Sequence, residues 1–427
     1  MVRVADAPSR RRYDVAVVGA GIVGLACAWR AAQRGLSVAV LDRDGPGSGA
    51  SGAAAGMLAP VTEADFGHEA LLRLNLAGAA AWPAFAAELA ERSGIGTGFR
   101  EAGALVVALD RDDAEELRRL HAFQRSLGLD AEWLTGRECR RLEPGLAPRL
   151  TGGVLAPADH QVDPRAVVRG LRAAVEHEGG EVVSGASVTG IELVGGSVAG
   201  VATAGGVVGA DRVVVAAGAW SGSLAPGAPP VRPVKGQILR LRTTAHGGPL
   251  AERTIRTLRC YVVPRASGEV VVGATMEERG FDTSVTAGAV HRLLEDAREA
   301  LPDVDELELV EAGAALRPGT PDNAPVVGPG EPDGLVWATG HHRNGVLLAP
   351  LTGAAVADVL CGGPVPAELA PFGAERFERE AAVGGSAPAG SATPRAPSGS
   401  ATAGSVSPRP PSGSAPTLAG RPPGGSA

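Results

Sequence analysis

The sequence predicts an α/β protein: a doubly wound, mainly parallel sheet with a second, mixed-sheet domain interleaved in it. Three observations predict this. First, Tyr13–Val18 is a short β-rich run, Gly24–Gln33 an Ala-rich helical stretch closed by Gly35, and Ser37–Leu41 a second β-rich run. That is a β-α-β unit, whose crossover implies parallel strands. Second, the apolar runs Arg212–Gly218 and Leu335–Gly340 read as later strands of the same sheet. Third, Gly236–Arg242, Arg259–Pro264 and Glu269–Ala274 have the texture of antiparallel strands. One continuous α/β domain is the alternative.

The expected division gives residues 13–80, 151–226 and 319–378 to the first domain, and 81–150 with 227–318 to the second. Residues 1–12 form an N-terminal tail. From Ala381 to Ala427 the chain has no aromatic and no acidic residue and only three arginines. Such a stretch buries too little apolar surface to offset its chain entropy, so a disordered tail is expected.

Composition excludes several classes of function. Net charge is −7, and no cluster of basic and aromatic residues stands out, so the footprint of a nucleic-acid binder is missing. No apolar run reaches the roughly 18 residues a membrane span needs. The first residues lack the apolar stretch of a secretory signal. Cys27, Cys139, Cys260 and Cys361 form no close pair, which suggests neither disulfides nor a zinc site. These features together predict a cytoplasmic protein with a small-molecule partner. Lys235 is the sole lysine, read as a bias toward arginine across the chain.

The turn between the first strand and helix is Gly19-Ala20-Gly21-Ile22-Val23-Gly24. Gly19 permits the tight turn, Gly21 lets backbone approach a pyrophosphate, and Gly24 lets the helix pack closely on the strand. The helix N-terminus then faces the anion with free N–H groups and a positive dipole end. Asp42 ends the second strand at the distance where a carboxylate accepts hydrogen bonds from ribose hydroxyls, with Arg43 beside it. A glycine turn alone is weak in a chain with 61 glycines. Strand, helix, second strand and terminal acid together make it a dinucleotide site, with NAD and FAD still open.

Further segments narrow that choice: Ala50–Pro60, Gly218-Ala219-Trp220-Ser221, Pro233–Gln237, Cys260–Arg265, Ala315–Thr320 and Gly340–Gly345. In this order and spacing they resemble the D-amino acid oxidase superfamily of flavoenzymes, and within it the glycine oxidases of the thiamine pathway. The resemblance runs from about Tyr13 to about Leu360. It implies a Rossmann-type FAD-binding domain and a homotetramer. It assigns FAD contacts to Ala50, Ser51, Ala54, Ala55, Gly56 and Met57, whose small residues suit backbone approach to a flat ring. It adds Val188, Ala217, Gly218, Trp220, and Gly345, Val346 and Leu347 at a helix start. Relatives that bind flavin covalently carry a cysteine near the substrate arginine; here that stretch is Ala314-Ala315-Leu316-Arg317, so noncovalent FAD is expected.

A planar guanidinium is the side chain best suited to clamp a substrate carboxylate. Arg317 stands in a small, apolar run where a surface arginine is unexpected, although a structural salt bridge fits too. The resemblance makes it the carboxylate-binding residue and adds the Tyr261 phenol, Arg343 and Met276 as substrate contacts. A buried structural tyrosine and a core methionine are the alternatives for Tyr261 and Met276. Arg259 replaces a histidine that glycine oxidases can carry, which places an added cation near the site entrance. His341 and His342 are adjacent and point different ways, so neither is expected to act as acid or base, and no catalytic side-chain base is required.

The implied reaction is FAD-dependent oxidation of glycine or another small amine by O2, giving an imine, then glyoxylate, ammonia and hydrogen peroxide, or feeding thiazole synthesis. Oxidation of a D-amino acid, sarcosine or proline stays open, because one methyl group changes pocket discrimination by only about 1–3 kcal/mol. So do a dehydrogenase using a quinone or protein acceptor and a flavoprotein acting on modified tRNA, the last disfavoured by the acidic balance.

Overall fold

The computed structural model describes residues 12–225, 227–244 and 249–377, so the expected C-terminal tail and residues 1–11 lie outside the described residues. Tyr13–Val18 pairs in parallel with Val38–Asp42 on one side and Gly206–Val215 on the other, and helix Ile22–Gln33 makes the crossover. Central parallel strands are covered on both faces, which is why they read as apolar runs. The sheet extends through Glu181–Ser184 at one edge and through Leu335–Thr339 and antiparallel Val326–Pro329 at the other.

Alternate residues of the first strand serve different cores. Val15 and Val17 face a helical layer with Trp29, Trp82, Phe85 and Leu348. Ala16 and Val18 face a second layer with Val201, Val208 and Trp337. The strand expected from Arg212 starts at Gly206, because its first half pairs antiparallel with the hairpin strand Ser197–Thr203.

Among the described residues the second sheet has eight strands, in the order Glu308–Gly319, Arg232–Arg242, Glu269–Gly273, Tyr261–Pro264, Thr254–Arg256, Ala104–Ala108, Gly152–Ala156 and Glu132–Thr135. Two expected boundaries differ from it. Gly152–Ala156 was expected with the first domain, but its register with Ala104–Ala108 and Glu132–Thr135 places it in the second sheet. The break expected at residue 80 falls inside helix Glu69–Ser93, whose Leu74, Trp82, Phe85 and Leu89 belong to the helical core over the first sheet. The strand expected from Arg259 begins at Tyr261, because the Thr257 hydroxyl accepts from the N–H groups of Arg259 and Cys260 and holds them in a turn. Among the described residues, no helix is long and apolar enough to cross a membrane.

Candidate active site

A cavity of about 720 Å³ opens where the parallel strands end, lined by Val18, Leu41, Asp42 and Ala216, and it reaches the second sheet at Tyr261 and Arg317. An open α/β sheet presents its ligand-binding loops at these strand ends. At the dinucleotide end backbone dominates. Gly19 has φ of +105°, and a Cβ there would lie 2.5 Å from the Ala216 carbonyl oxygen. A Cβ on Gly24 would fall on the Gly19 carbonyl oxygen. Gly24 accordingly packs helix against turn, and it does not line the cavity, whereas Gly19, Gly21, Ile22 and Val23 do.

Asp42 binds the turn from the next strand. Its Oδ2 accepts from the Ala20 N–H at 2.7 Å, and its Oδ1 accepts from the N–H groups of Asp44 and Gly45 at 2.9 and 2.7 Å. A carboxylate has about four lone-pair sites, so one on Oδ2 stays available for a hydroxyl. Beside it the Arg43 guanidinium lies 4.5 Å from the Trp220 ring centre, and Val188, Ala217 and Gly218 complete this wall.

The loop expected against the flavin is held from outside by three arginines. The Gly52 carbonyl accepts from Arg165 Nε at 2.8 Å and Arg240 Nη2 at 2.9 Å, and the Ala55 carbonyl from Arg265 Nη2 at 2.6 Å. Ala50, Ser51, Ala54, Ala55, Gly56 and Met57 line the cavity, as do Gly345, Val346 and Leu347. Helices Ile22–Gln33 and Gly345–Leu360 both start at this cavity, and neither has an acid in its first turn or a cap from its own N-cap side chain; the Ser51 hydroxyl accepts from the Ile22 N–H at 2.9 Å. Two positive helix ends without a first-turn acid, a glycine turn with no room for side chains and an open acidic acceptor fit FAD, with its diphosphate and ribose. Among the described residues no cysteine lines the cavity, so no thiol is there to attach to the flavin.

The end of the cavity at the second sheet is built from side chains laid over glycines. Arg317 is on the outermost strand and reaches inward across Gly236 of its neighbour, where a Cβ would collide with the guanidinium. Tyr261 reaches from the opposite direction across Gly273, where a Cβ would lie 2.5 Å from the phenol oxygen. Both side chains line the cavity, close enough for each to shift the other's titration. Arg317 Nη1 donates to the carbonyls of Thr275 at 3.1 Å and Lys235 at 3.4 Å. Among the described residues no carboxylate lies within ion-pair distance of it. Burial lowers the Arg317 pKa and raises that of Tyr261, so this end holds a partly buried cation beside a neutral phenol.

The turn before the second cavity helix carries Arg343 here. His342, at φ of 47°, donates its N–H to the Pro318 carbonyl at 3.0 Å, which brings that turn beside Arg317. Arg343 Nη2 bonds Glu63 Oε1 at 2.7 Å, and Arg256 Nη1 lies 3.1 Å from the same oxygen. Burial pushes the Glu63 carboxyl up, but these guanidiniums outweigh it and hold the pKa below the usual range. Behind them, Arg256 donates to the Thr62 hydroxyl at 2.9 Å, and buried Asp159 accepts from that hydroxyl at 2.6 Å and from the N–H groups of Val61 and Thr62.

Sequence reasoning missed Glu63 and Arg256. Glu63 was findable as the first charged residue after Asp44, at the end of the small-residue loop. Two expectations need correcting. Met276 is 60 % exposed and is not among the residues lining the cavity, because the neighbouring Thr275 and Glu277 make the inward bonds to Gln237 and Lys235. Arg259 is drawn away from the entrance by Glu299 at 2.6 Å and Asp296 at 3.7 Å on helix Ala287–Ala300. His341 and His342 both line the cavity, and burial brings each down to about 4. His341 Nε2 lies 3.0 Å from the Thr352 hydroxyl.

The glycine oxidase of Geobacillus kaustophilus is 37% identical over 86% of this chain and 97% of its own length. Its crystal structure superposes with a TM-score of 0.80, covering 86% of this chain and 99% of that one. The bifunctional protein ThiO/ThiG of Trichormus variabilis is 34% identical over 87% of this chain and 56% of its own length. The structure of iminodiacetate oxidase from Chelativorans sp. BNC1 has a TM-score of 0.75 at 27% identity, covering 84% of this chain and 98% of its own. Residues 14–359 match the profile of the family described as FAD dependent oxidoreductase, DAO. The chain belongs to that family and is an FAD-dependent oxidoreductase.

Proposed function

We propose that this protein oxidises glycine, or an amino acid nearly as small, at its amine-bearing carbon, with O2 as the final electron acceptor. The products are an imine, which hydrolyses to glyoxylate and ammonia, and hydrogen peroxide. Likeness to glycine oxidase and to a ThiO/ThiG protein supports a place in supplying the imine for thiazole synthesis. One observation carries the reading: the Arg317 guanidinium lines the cavity with two carbonyls and a phenol around it and, among the described residues, no carboxylate within ion-pair distance. A buried cation without a counter-ion is costly, and a substrate carboxylate removes that cost while fixing the substrate's orientation.

FAD, when bound, supplies the hydride acceptor. The protein's own part is to clamp the carboxylate with Arg317 and Tyr261 and to present the α-carbon in a confined cavity. No side chain needs to remove a carbon-bound proton, consistent with His341 and His342 being neutral at ordinary pH. The test is a peroxide-coupled screen of glycine, sarcosine, D-alanine and D-proline with FAD-loaded protein. Turnover led by glycine with stoichiometric peroxide is expected. Flavin reduction by these compounds without peroxide would replace O2 by another acceptor, and no reduction by any of them would overturn the reading.

A further inference from the structure

We propose that Glu63 is the group that receives the substrate's nitrogen, so that the cavity recognises an amino acid at both ends, carboxylate on Arg317 and amine on Glu63. The inference rests on the amino-acid reading above and names the other half of that site. Glu63 lines the same cavity as Arg317 and Tyr261. Its Oε1 takes both guanidiniums, Arg343 at 2.7 Å and Arg256 at 3.1 Å. Among the described residues no donor reaches its Oε2. A carboxylate oxygen at a cavity wall with no donor is an acceptor waiting for one, and an amine or ammonium is the donor an amino acid brings.

The two guanidiniums do separate work. Arg256 does not line the cavity. It is fixed from behind by Thr62, which Asp159 fixes in turn, so it positions Glu63 without touching a ligand. The charged and titratable groups facing Glu63 are Arg343, Arg256, Arg317, Tyr261 and His342. With three arginines among them Glu63 stays ionised and is a weak base. Its role is to hold and orient the nitrogen, and the substrate ammonium's proton leaves to solvent.

The test compares glycine with glycolate, and D-alanine with D-lactate, each pair sharing a carboxylate and differing in the amine. In the holoenzyme Glu63→Gln, kcat/KM for glycine and D-alanine should fall about 10- to 100-fold, while the competitive Ki of glycolate and D-lactate changes less than about threefold. Equal losses for amino and hydroxy acids would show that Glu63 merely anchors Arg343, and no loss would show that it does nothing for the amine; either overturns the proposal. If Glu63→Gln does not fold, Arg256→Leu decides. Removing one guanidinium should move the acid limb of the glycine kcat/KM profile to higher pH and leave the glycolate Ki profile where it was; an unmoved limb overturns the proposal. If neither hydroxy acid inhibits the unaltered enzyme nor perturbs its flavin spectrum, carboxylate recognition fails and takes this proposal with it.

Discussion

The two ends of the cavity are made of different material. At the dinucleotide end the working groups are mostly backbone: a glycine turn with no room for side chains, two helix starts without a first-turn acid, and one aspartate whose main contacts are peptide N–H groups. At the proposed substrate end they are side chains, Arg317, Tyr261, Arg343 and Glu63, drawn from four separated stretches, with Arg317 laid over Gly236 and Tyr261 over Gly273. The difference teaches that one end can be rebuilt by evolution without disturbing the other. It also predicts which substitutions should damage which end.

The sharpest way to break the comparison is Gly24→Ala. A Cβ there falls on the Gly19 carbonyl oxygen, with nothing flexible to yield, and the cost should be on the order of 4 kcal/mol or more. The protein should purify colourless, with a lowered Tm; a yellow, stable variant would show that the turn tolerates a side chain. Next is Arg317→Ala. Losing a charged, desolvated hydrogen-bonding partner costs about 2–5 kcal/mol, so kcat/KM should drop roughly 30- to 4,000-fold while FAD content stays at one per chain. Loss of FAD along with activity would mean that the two ends are not independent.

His341 joins the ends, lining the cavity while contacting Thr352 of the second cavity helix. Burial lowers its pKa from 6.5 to about 4. The folded state thus binds fewer protons than the unfolded state between these values, so stability is full above pH 6.5 and is lost as pH falls toward 4. The contribution is about 3 kcal/mol. Urea unfolding at pH 7.5 and pH 4.5 should show that much less acid sensitivity in His341→Gln; parallel curves would remove the histidine from the account. The smallest effect is expected from Tyr261→Phe, which loses one neutral hydrogen bond worth about 0.5–1.5 kcal/mol. Its kcat/KM for glycine should fall about 2- to 12-fold in peroxide-coupled assays, with FAD content unchanged, and a loss as large as that of Arg317→Ala would make the phenol an equal partner.

The same contrast explains what could be read without coordinates. Gly19, Gly21, Gly24 and Asp42 were legible because a backbone demand prints itself on residue type and spacing. That Arg317 and Tyr261 share one cavity was expected only through resemblance, since their placement depends on glycines that lie on other strands. Arg256 and Arg259 show where legibility ends. They are three residues apart and chemically alike, yet the turn at Thr257 and Cys260 sends one toward Glu63 and the other to helix Ala287–Ala300. Met276 misled for a related reason, because inward and outward along that stretch are decided by pairing with Lys235 and Gln237. Sheet membership of Gly152–Ala156 was likewise a matter of register, which no local run of residues encodes.

Lys235 has a practical consequence. It is the chain's sole lysine, 1% exposed, with its Nζ 2.9 Å from Asp282 on the stretch that follows Met276. Amine-directed labels and lysine-specific proteases therefore find no reactive side chain on the folded surface. Acylation of Lys235 becomes a clock with a single hand: its rate reports how often the Asp282 stretch lifts from the sheet, and saturating the cavity with ligand should show whether occupancy stops it.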